Sequence, residues 1–98
     1  MTVEDYYRRV TDVILDLTEV ERADLEGKRR TTEVVDARWM IVKLLREAGY
    51  YPTQIAPVMK MTVRQVQSII STFDIRLRYS DLIFRSNYEA ASKILRSN

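Results

Sequence analysis

The stretch TQIAPVMKMTVRQVQSII, residues 53–70, decides how this chain folds. It contains two helical patterns separated by a short break, and the second pattern opens on Thr62. The segment Thr62-Val63-Arg64-Gln65 has the form of a capping box, in which the threonine hydroxyl and the glutamine side chain exchange hydrogen bonds with the backbone. The stretch therefore predicts a short helix, a turn and a longer helix. It is either a helix–turn–helix that reads DNA or a pair of core helices joined by an ordinary turn.

Apolar residues recur at spacings of three and four after Thr62, which predicts one buried helix face. The predicted inward residues are Val63, Val66, Ile70, Phe73 and Leu77. The outward residues are then Arg64, Gln65, Gln67, Ser68 and Ser71, with no acid before Asp74. An ordinary helix exterior mixes Glu and Lys, whereas Arg and Gln make bidentate contacts with base edges in the major groove. The outward face either reads DNA or is a neutral surface in contact with solvent.

The flanking sequence predicts further helices and no strands. Predicted helices cover residues 2–19, 31–48 and 53–59, and two more begin at Thr62 and at Ser80-Asp81. Thr2 is a predicted cap of the first helix. The helix over 31–48 carries the widest apolar stripe, so we expect it to be the central one. Gly49 follows it, where a left-handed residue commonly ends a helix, and the polar segment 21–32 is predicted to be a connector. The fold class is therefore all-α, with about five helices and a helix–turn–helix at roughly 53–78.

Charge is distributed unevenly along the 98 residues. Residues 1–26 hold eight acids and three bases, a net charge of −5, whereas residues 27–98 hold six acids and thirteen bases, a net charge of +7. This asymmetry indicates that the later part faces a polyanion; the alternative is a soluble surface with uneven charge. We predict one globular unit, in which an acidic N-terminal helix (1–26) packs on a basic helix–turn–helix domain (27–98).

The composition argues against several classes of function. The chain has neither His nor Cys, so it lacks the commonest general base, the commonest zinc ligands and a thiolate nucleophile. We therefore expect no enzyme, no metal and no cofactor. No apolar run approaches the roughly 20 residues that span a bilayer, and no phosphate-binding glycine loop occurs, so neither a membrane nor a nucleotide is an expected partner. The early acids and the absence of an apolar signal core predict a cytoplasmic location.

Residues 28–70, KRRTTEVVDARWMIVKLLREAGYYPTQIAPVMKMTVRQVQSII, carry a family resemblance. A basic run precedes VVDAR, a helix ends in LLRE, and a turn leads to TQIA and to a helix with Val66 at a buried position. This pattern resembles the C-terminal duplex-binding domain of the bacterial replication initiator DnaA, within the Trp-repressor-like helix–turn–helix group. It is also similar to short stand-alone Bacteroides-type relatives, whose tails look like DLIFRSNYE. The resemblance covers roughly residues 28–90 and implies a DnaA-C-terminal-domain-like fold.

The resemblance also implies roles for individual residues. Arg38 stands at the position of the family's minor-groove arginine, and Lys28, Arg29 and Arg30 supply the positive charge of its basic loop. The family's reading helix opens with Asp-His-Thr-Thr, but residues 62–65 here are Thr-Val-Arg-Gln, preceded by Met61 where the family has a basic residue. Binding to the initiator's own site is therefore not expected. Either the chain reads another sequence, or its reading of DNA has decayed and the fold serves protein contacts.

Two functional hypotheses follow. The leading one is a small double-stranded-DNA-binding protein without ATPase activity, a regulator or a mobile-element protein. Its predicted contacts are Arg64, Gln65 and Ser68 to bases, Thr53, Lys60 and Thr62 to phosphates, and Lys28, Arg29, Arg30 and Arg38 to the backbone or minor groove. The alternative is a protein-interaction module, whose acidic first helix docks a partner or a second copy to form a homodimer. Tyr6, Tyr7 and the apolar stripe of residues 10–17 motivate this alternative.

Overall fold

The computed structural model describes residues 1–97, which form six α-helices and no strand. The helices are α1 (Val3–Leu17), α2 (Arg22–Glu26), α3 (Thr32–Glu47), α4 (Pro52–Met59), α5 (Val63–Tyr79) and α6 (Leu82–Arg96). The predicted all-α class is confirmed. The additional helix, α2, lies in the segment predicted as a connector, where it packs against α3 and buries Leu25. Within residues 1–97, no helix is long and apolar enough to cross a membrane.

Side-chain caps fix the starts of three helices. The Thr2 hydroxyl accepts a hydrogen bond from the Asp5 N–H at 3.1 Å, and the Asp81 carboxylate accepts one from the Phe84 N–H at 2.9 Å. At Thr62 the capping box is complete: its hydroxyl accepts from the Gln65 N–H at 3.1 Å, while its own N–H donates to Gln65 Oε1 at 2.8 Å. These bonds satisfy N–H groups that have no partner inside the helix. The predicted starts at residues 2, 62 and 81 are confirmed.

Helix α3 is the centre of the core, as predicted. It packs against every other helix of residues 1–97, and Ile41, Val42 and Leu45 are completely buried. After α3, Gly49 adopts a φ of 102°, the left-handed conformation expected at this position. The remaining buried apolar residues of α3 are Val34, Ala37, Met40 and Leu44. The spacing of the sequence predicts a stripe of Val35, Trp39 or Met40, Val42 and Leu45, with Ile41 and Leu44 beside it. That stripe is correct except at its start, where Val34 is buried and Val35 is half-buried; of the two alternatives, Met40 is buried and Trp39 is half-buried.

The apolar stripe of α1 packs inside the chain. Val10 and Ile14 are completely buried, and α1 contacts α3 and α6. The Tyr6 ring packs against the Tyr50 ring, with 5.8 Å between centroids. Val13, Leu15 and Leu17 are half-buried against the same core. The stripe that motivated docking through the first helix therefore packs largely inside the chain, and docking through this helix stays a prediction.

Helix α5 packs on α3 and α4 through Val66 and Phe73, both completely buried. The Phe73 ring lies 5.8 Å from the Phe84 ring and 4.9 Å from the Tyr88 ring, centroid to centroid, which joins α5 to α6. Two details of the predicted face are wrong. Val63 is 36% exposed, because it is the first residue of the helix and precedes the first buried residue by almost a turn. Ile69 is buried, but the spacing did not predict it.

A hydrogen bond joins helix α6 to the end of α3. The Tyr88 hydroxyl donates a hydrogen bond to Glu47 Oε1 at 2.6 Å. Burial, together with this bond to a carboxylate, raises the pKa of Tyr88 above its ordinary value. The raised pKa keeps the hydroxyl protonated, and so able to donate this bond, at alkaline pH where an ordinary tyrosine would ionise.

One buried hydroxyl in α1 has no hydrogen-bond partner within residues 1–97. Thr11 is completely buried and its Oγ1 is unpaired, which costs free energy that an apolar group would not. Replacing Thr11 with valine is therefore expected to raise the free energy of unfolding by about 1 kcal/mol, measured from urea unfolding curves. The control is Thr18→Val, which removes a hydroxyl that donates to the Ile14 carbonyl at 2.8 Å and is expected to destabilise. Equal effects of the two substitutions would contradict this account.

Candidate nucleic-acid interface

Helices α4 and α5 are joined by a tight turn at residues 60–62. Lys60 has φ 55° and ψ 43°, the left-handed conformation that ends a helix. Its N–H donates to the Pro57 carbonyl at 3.2 Å, and the Met61 N–H donates to the Ala56 carbonyl at 3.0 Å. Met61 packs against the core and thereby anchors the turn. The DnaA-like pattern has a basic residue at this position. The chain thus reverses sharply and enters α5 at the capping box of Thr62.

The beginning of α5 presents an exposed polar surface, which we call the reading end. It consists of Lys60, Thr62, Arg64, Gln65 and Ser68, all exposed. Arg64 forms no ion pair within residues 1–97, so its planar set of N–H donors faces solvent. Gln65 already accepts one bond through Oε1, but a carbonyl oxygen has a second lone pair and the amide nitrogen still carries two donors. The predicted reading residues are therefore brought together, and they keep hydrogen-bonding groups that face solvent.

Val63 belongs to the same surface and was missed by reasoning from sequence. Its spacing of three from Val66 matched the core pattern, and so it was placed inside. The signal that could have found it is its position directly after the Thr62 cap, ahead of the first buried turn. An exposed aliphatic side chain beside Arg64 offers a methyl contact of the kind that recognises thymine in the major groove.

The outer side of α5 stays free of acid for most of its length. Arg64 is the only charged residue between Thr62 and Asp74. The hydroxyls of Ser71 and Thr72 both donate to the Ser68 carbonyl, at 3.1 and 2.7 Å, so they are directed back onto the helix. This side of α5 therefore carries one positive charge and small polar groups, with no carboxylate before Asp74 to repel a phosphate.

A second exposed basic segment lies between α2 and α3. This basic loop consists of Lys28, Arg29 and Arg30, all exposed. Arg29 lies 3.8 Å from the Asp24 carboxylate, whereas Lys28 and Arg30 form no ion pair within residues 1–97. A side chain on the preceding Gly27 would place its Cβ 2.9 Å from the Ala23 carbonyl oxygen, too close for any residue but glycine.

Arg38 is directed at the backbone of this segment. Its guanidinium donates four hydrogen bonds to carbonyl oxygens, at distances between 2.7 and 3.2 Å. The accepting carbonyls belong to Asp24, Leu25, Gly27 and Arg29. Direct contact of Arg38 with DNA stays a prediction. In the structure, Arg38 ties the backbone that leads into the basic loop to α3.

The basic loop and the reading end lie at opposite ends of α5. Thr32, at the start of α3, and Tyr79, at the end of α5, line the same shallow cavity, and Asp36 of α3 is paired with Arg76 of α5. The basic loop directly precedes Thr32. Fifteen residues separate Arg64 from Tyr79, which is about 22 Å along a helix. The reading end and the basic loop are therefore separated by most of the length of α5.

Thr53 occupies a third position. It lies in the first turn of α4 and is exposed, seven residues before Lys60 and therefore about 10 Å from it along the helix. The structure thus does not join Thr53 to the reading end. It places this hydroxyl at the far end of α4, where a helix start favours an anion.

Within residues 1–97, no group of three potential metal-ligating side chains occurs. A scan against protein-family models, a search of curated proteins and a search of solved structures each found no match to this chain. The resemblance to the duplex-binding domain of DnaA therefore depends on the quoted residues alone.

Proposed function

We propose that this protein binds double-stranded DNA through the α4–α5 helix–turn–helix, as a small bacterial regulator or mobile-element protein that works in the cytoplasm without ATPase activity. The observation that carries the proposal is the reading end. The N-terminal turns of a 17-residue helix are exposed, capped at Thr62, and provided with Arg64 and Gln65 but with no acid. Helix–turn–helix proteins present this part of their second helix to the major groove.

Sequence would be read by four side chains near the start of α5. Arg64 offers parallel N–H donors that match the O6 and N7 acceptors of guanine, and the Gln65 amide matches adenine. The Ser68 hydroxyl donates or accepts, and Val63 contacts a thymine methyl group. Because the initiator's reading residues are replaced here, we propose a target other than the initiator's binding box.

Affinity would come mainly from phosphates, which carry no sequence information. Lys60 and Thr62 flank the reading end, and Thr53 reaches the backbone from the start of α4. The basic loop contacts the backbone or minor groove at the other end of α5. Arg38 supports the contact between the basic loop and DNA in two ways. It positions the loop, and the one guanidinium N–H that bonds to no carbonyl can donate to the DNA.

The test is the salt dependence of binding to duplex DNA of random sequence. With ~5 phosphate contacts, log K should fall against log salt concentration with a slope of about −4 to −5, because each contact releases condensed counterions. Fluorescence anisotropy of a labelled duplex, titrated at several salt concentrations, measures the slope.

A flat salt dependence, or no binding at low salt, would overturn the proposal. A double variant, Lys93→Ala with Arg96→Ala, is a matched control, because it removes two positive charges from the exposed C-terminal end of α6, outside the proposed contacts. Its slope should stay close to that of the unaltered chain.

A further inference from the structure

One apolar side chain lies among the polar ones at the start of α5. Within residues 62–68, Val63 is the only exposed apolar residue. It lies between Thr62, proposed to contact a phosphate, and Arg64, proposed to contact a base. A side chain without a hydrogen-bonding group can contribute to binding only through an apolar contact, so the partner of Val63 on DNA must itself be apolar.

Val63 is held in place before any ligand arrives. It is the first residue of α5 and directly follows Thr62, whose two hydrogen bonds with Gln65 measure 3.1 and 2.8 Å. Only 36% of Val63 is exposed, so the domain covers most of the residue, and a β-branched side chain has few rotamers. The exposed part of Val63 is therefore presented in one position, and little side-chain entropy is lost when a ligand contacts it.

The major groove of an unmodified duplex offers one methyl group, at position 5 of thymine, beside edges that donate or accept hydrogen bonds. A donor or acceptor placed against Val63 would lose its water without gaining a hydrogen bond, which costs binding free energy. Methylated cytosine carries the same methyl group at the same ring position. The chemistry that Val63 recognises is therefore a 5-methylpyrimidine, which is either thymine or 5-methylcytosine.

Arg64 sets the position of that pyrimidine. The two residues are consecutive, and one residue advances about 1.5 Å along a helix, less than the ~3.4 Å between stacked base pairs. Their side chains therefore reach the same base pair or neighbouring ones. Arg64 is proposed to bind guanine, and an unmodified G·C pair carries no methyl group. The thymine that Val63 contacts thus lies in the base pair next to that guanine.

We infer, on the basis of the proposed binding to DNA, that Val63 makes affinity depend on the 5-methyl group of a pyrimidine beside the guanine read by Arg64. At this position the chain distinguishes thymine from uracil, which differ only in that group. It also distinguishes 5-methylcytosine from cytosine. Methylation of a cytosine at this position therefore strengthens binding, so that the start of α5 is sensitive to the methylation of its DNA target.

Substitutions in the DNA test this inference without altering the protein. The probe is a duplex selected from a random pool with the full chain, in which each thymine in turn is replaced by uracil. At one position we expect uracil to lower the affinity roughly 2- to 4-fold, which is what burying one methyl group contributes. Cytosine at that position should also weaken binding, and 5-methylcytosine should bind roughly 2- to 4-fold more tightly than cytosine. Fluorescence anisotropy measures each affinity.

A protein variant assigns the effect to Val63. Val63→Ala should bind the thymine and uracil duplexes equally well. The control, Ile75→Ala, shortens an exposed aliphatic side chain of the same helix, twelve residues farther along, and should keep the difference. Circular dichroism and the urea midpoint check that both variants fold.

The outcomes separate this inference from the proposed function. A chain that binds the selected duplex but treats thymine and uracil alike at every position would overturn the inference and leave DNA binding intact. A Val63→Ala variant that keeps the difference would overturn it as well. If no duplex bound at low salt, the proposed function would fail, and the inference with it.

Discussion

Replacing Phe73 with alanine is expected to lower the free energy of unfolding by about 3–5 kcal/mol. The Phe73 side chain is completely buried and its ring contacts those of Phe84 and Tyr88, so truncation leaves a cavity where three helices meet. A domain of this size is stable by only about 5–10 kcal/mol, and the variant should therefore be close to unfolded. Urea unfolding followed by circular dichroism measures the loss.

The matched control lies on the opposite side of the same helix. Gln67 is exposed, and Gln67→Ala should change the free energy of unfolding by no more than about 0.5 kcal/mol. A large loss for Gln67→Ala, with Phe73→Ala tolerated, would reverse the faces of α5. Arg64 and Ser68 would then be turned into the core, and the helix–turn–helix reading would fail with them.

Removal of the basic loop's charges is expected to have the largest effect on DNA binding. The triple variant Lys28→Ala, Arg29→Ala, Arg30→Ala should reduce affinity roughly 100-fold at ~0.1 M salt and make the salt slope less steep by about 3. The loss should be the same on every duplex, because phosphate contacts carry no sequence information. Anisotropy titrations on a selected site and on random DNA measure both quantities.

Arg64→Ala provides the comparison at the reading end. We expect it to cost about 1–3 kcal/mol of binding free energy on the selected site and much less on random DNA. Equal losses on the two kinds of DNA would remove Arg64 from base reading. A triple loop variant that discriminated between sequences would assign reading to the loop instead.

The features that the sequence predicted well are those decided by local chemistry. The capping boxes and N-caps at Thr2, Thr62 and Asp81 depend on residues within one turn of each other, and all three are present. The burial of Phe73 and Val66 follows from spacing within one helix, and it too is confirmed. Local pattern was therefore enough for most helix starts and for the principal face of α5.

What the sequence did not predict depends on packing between segments. Helix α2 is five residues long, too short for a periodic pattern, and it forms where Leu25 meets α3. Val63 is exposed where burial was expected, because it precedes the first buried turn of α5. Ile69 is buried without having been predicted so, because the orientation of α5 against α3 and α4 decides which flank is covered. The sequence also did not single out Ile75, Tyr79, Leu82 and Ile83, which are exposed at the turn between α5 and α6.

The kinds of residue in the candidate site could be predicted from the sequence, but their contacts and separations could not. Arg64, Gln65 and Ser68 were placed on one face by spacing, and they lie together. No spacing rule indicates that Arg38 bonds to four carbonyls of the preceding segment, because such bonds depend on the path of an irregular loop. The separation of the loop from the reading end likewise follows only from the crossing of α3 and α5.

The contacts of Arg38 have a consequence for the entropy of binding. Ordering the backbone of a free loop costs about 1–2 kcal/mol per residue, and a disordered basic segment would lose that freedom when it met DNA. Here the four carbonyl bonds to Arg38 fix the path of the segment before any ligand arrives. Three of the bonds hold the chain just before the loop and one holds the Arg29 carbonyl within it, so folding of the domain has already supplied part of the ordering. The loop is preorganised, so that more of the attraction between its three cations and a phosphate backbone appears as affinity.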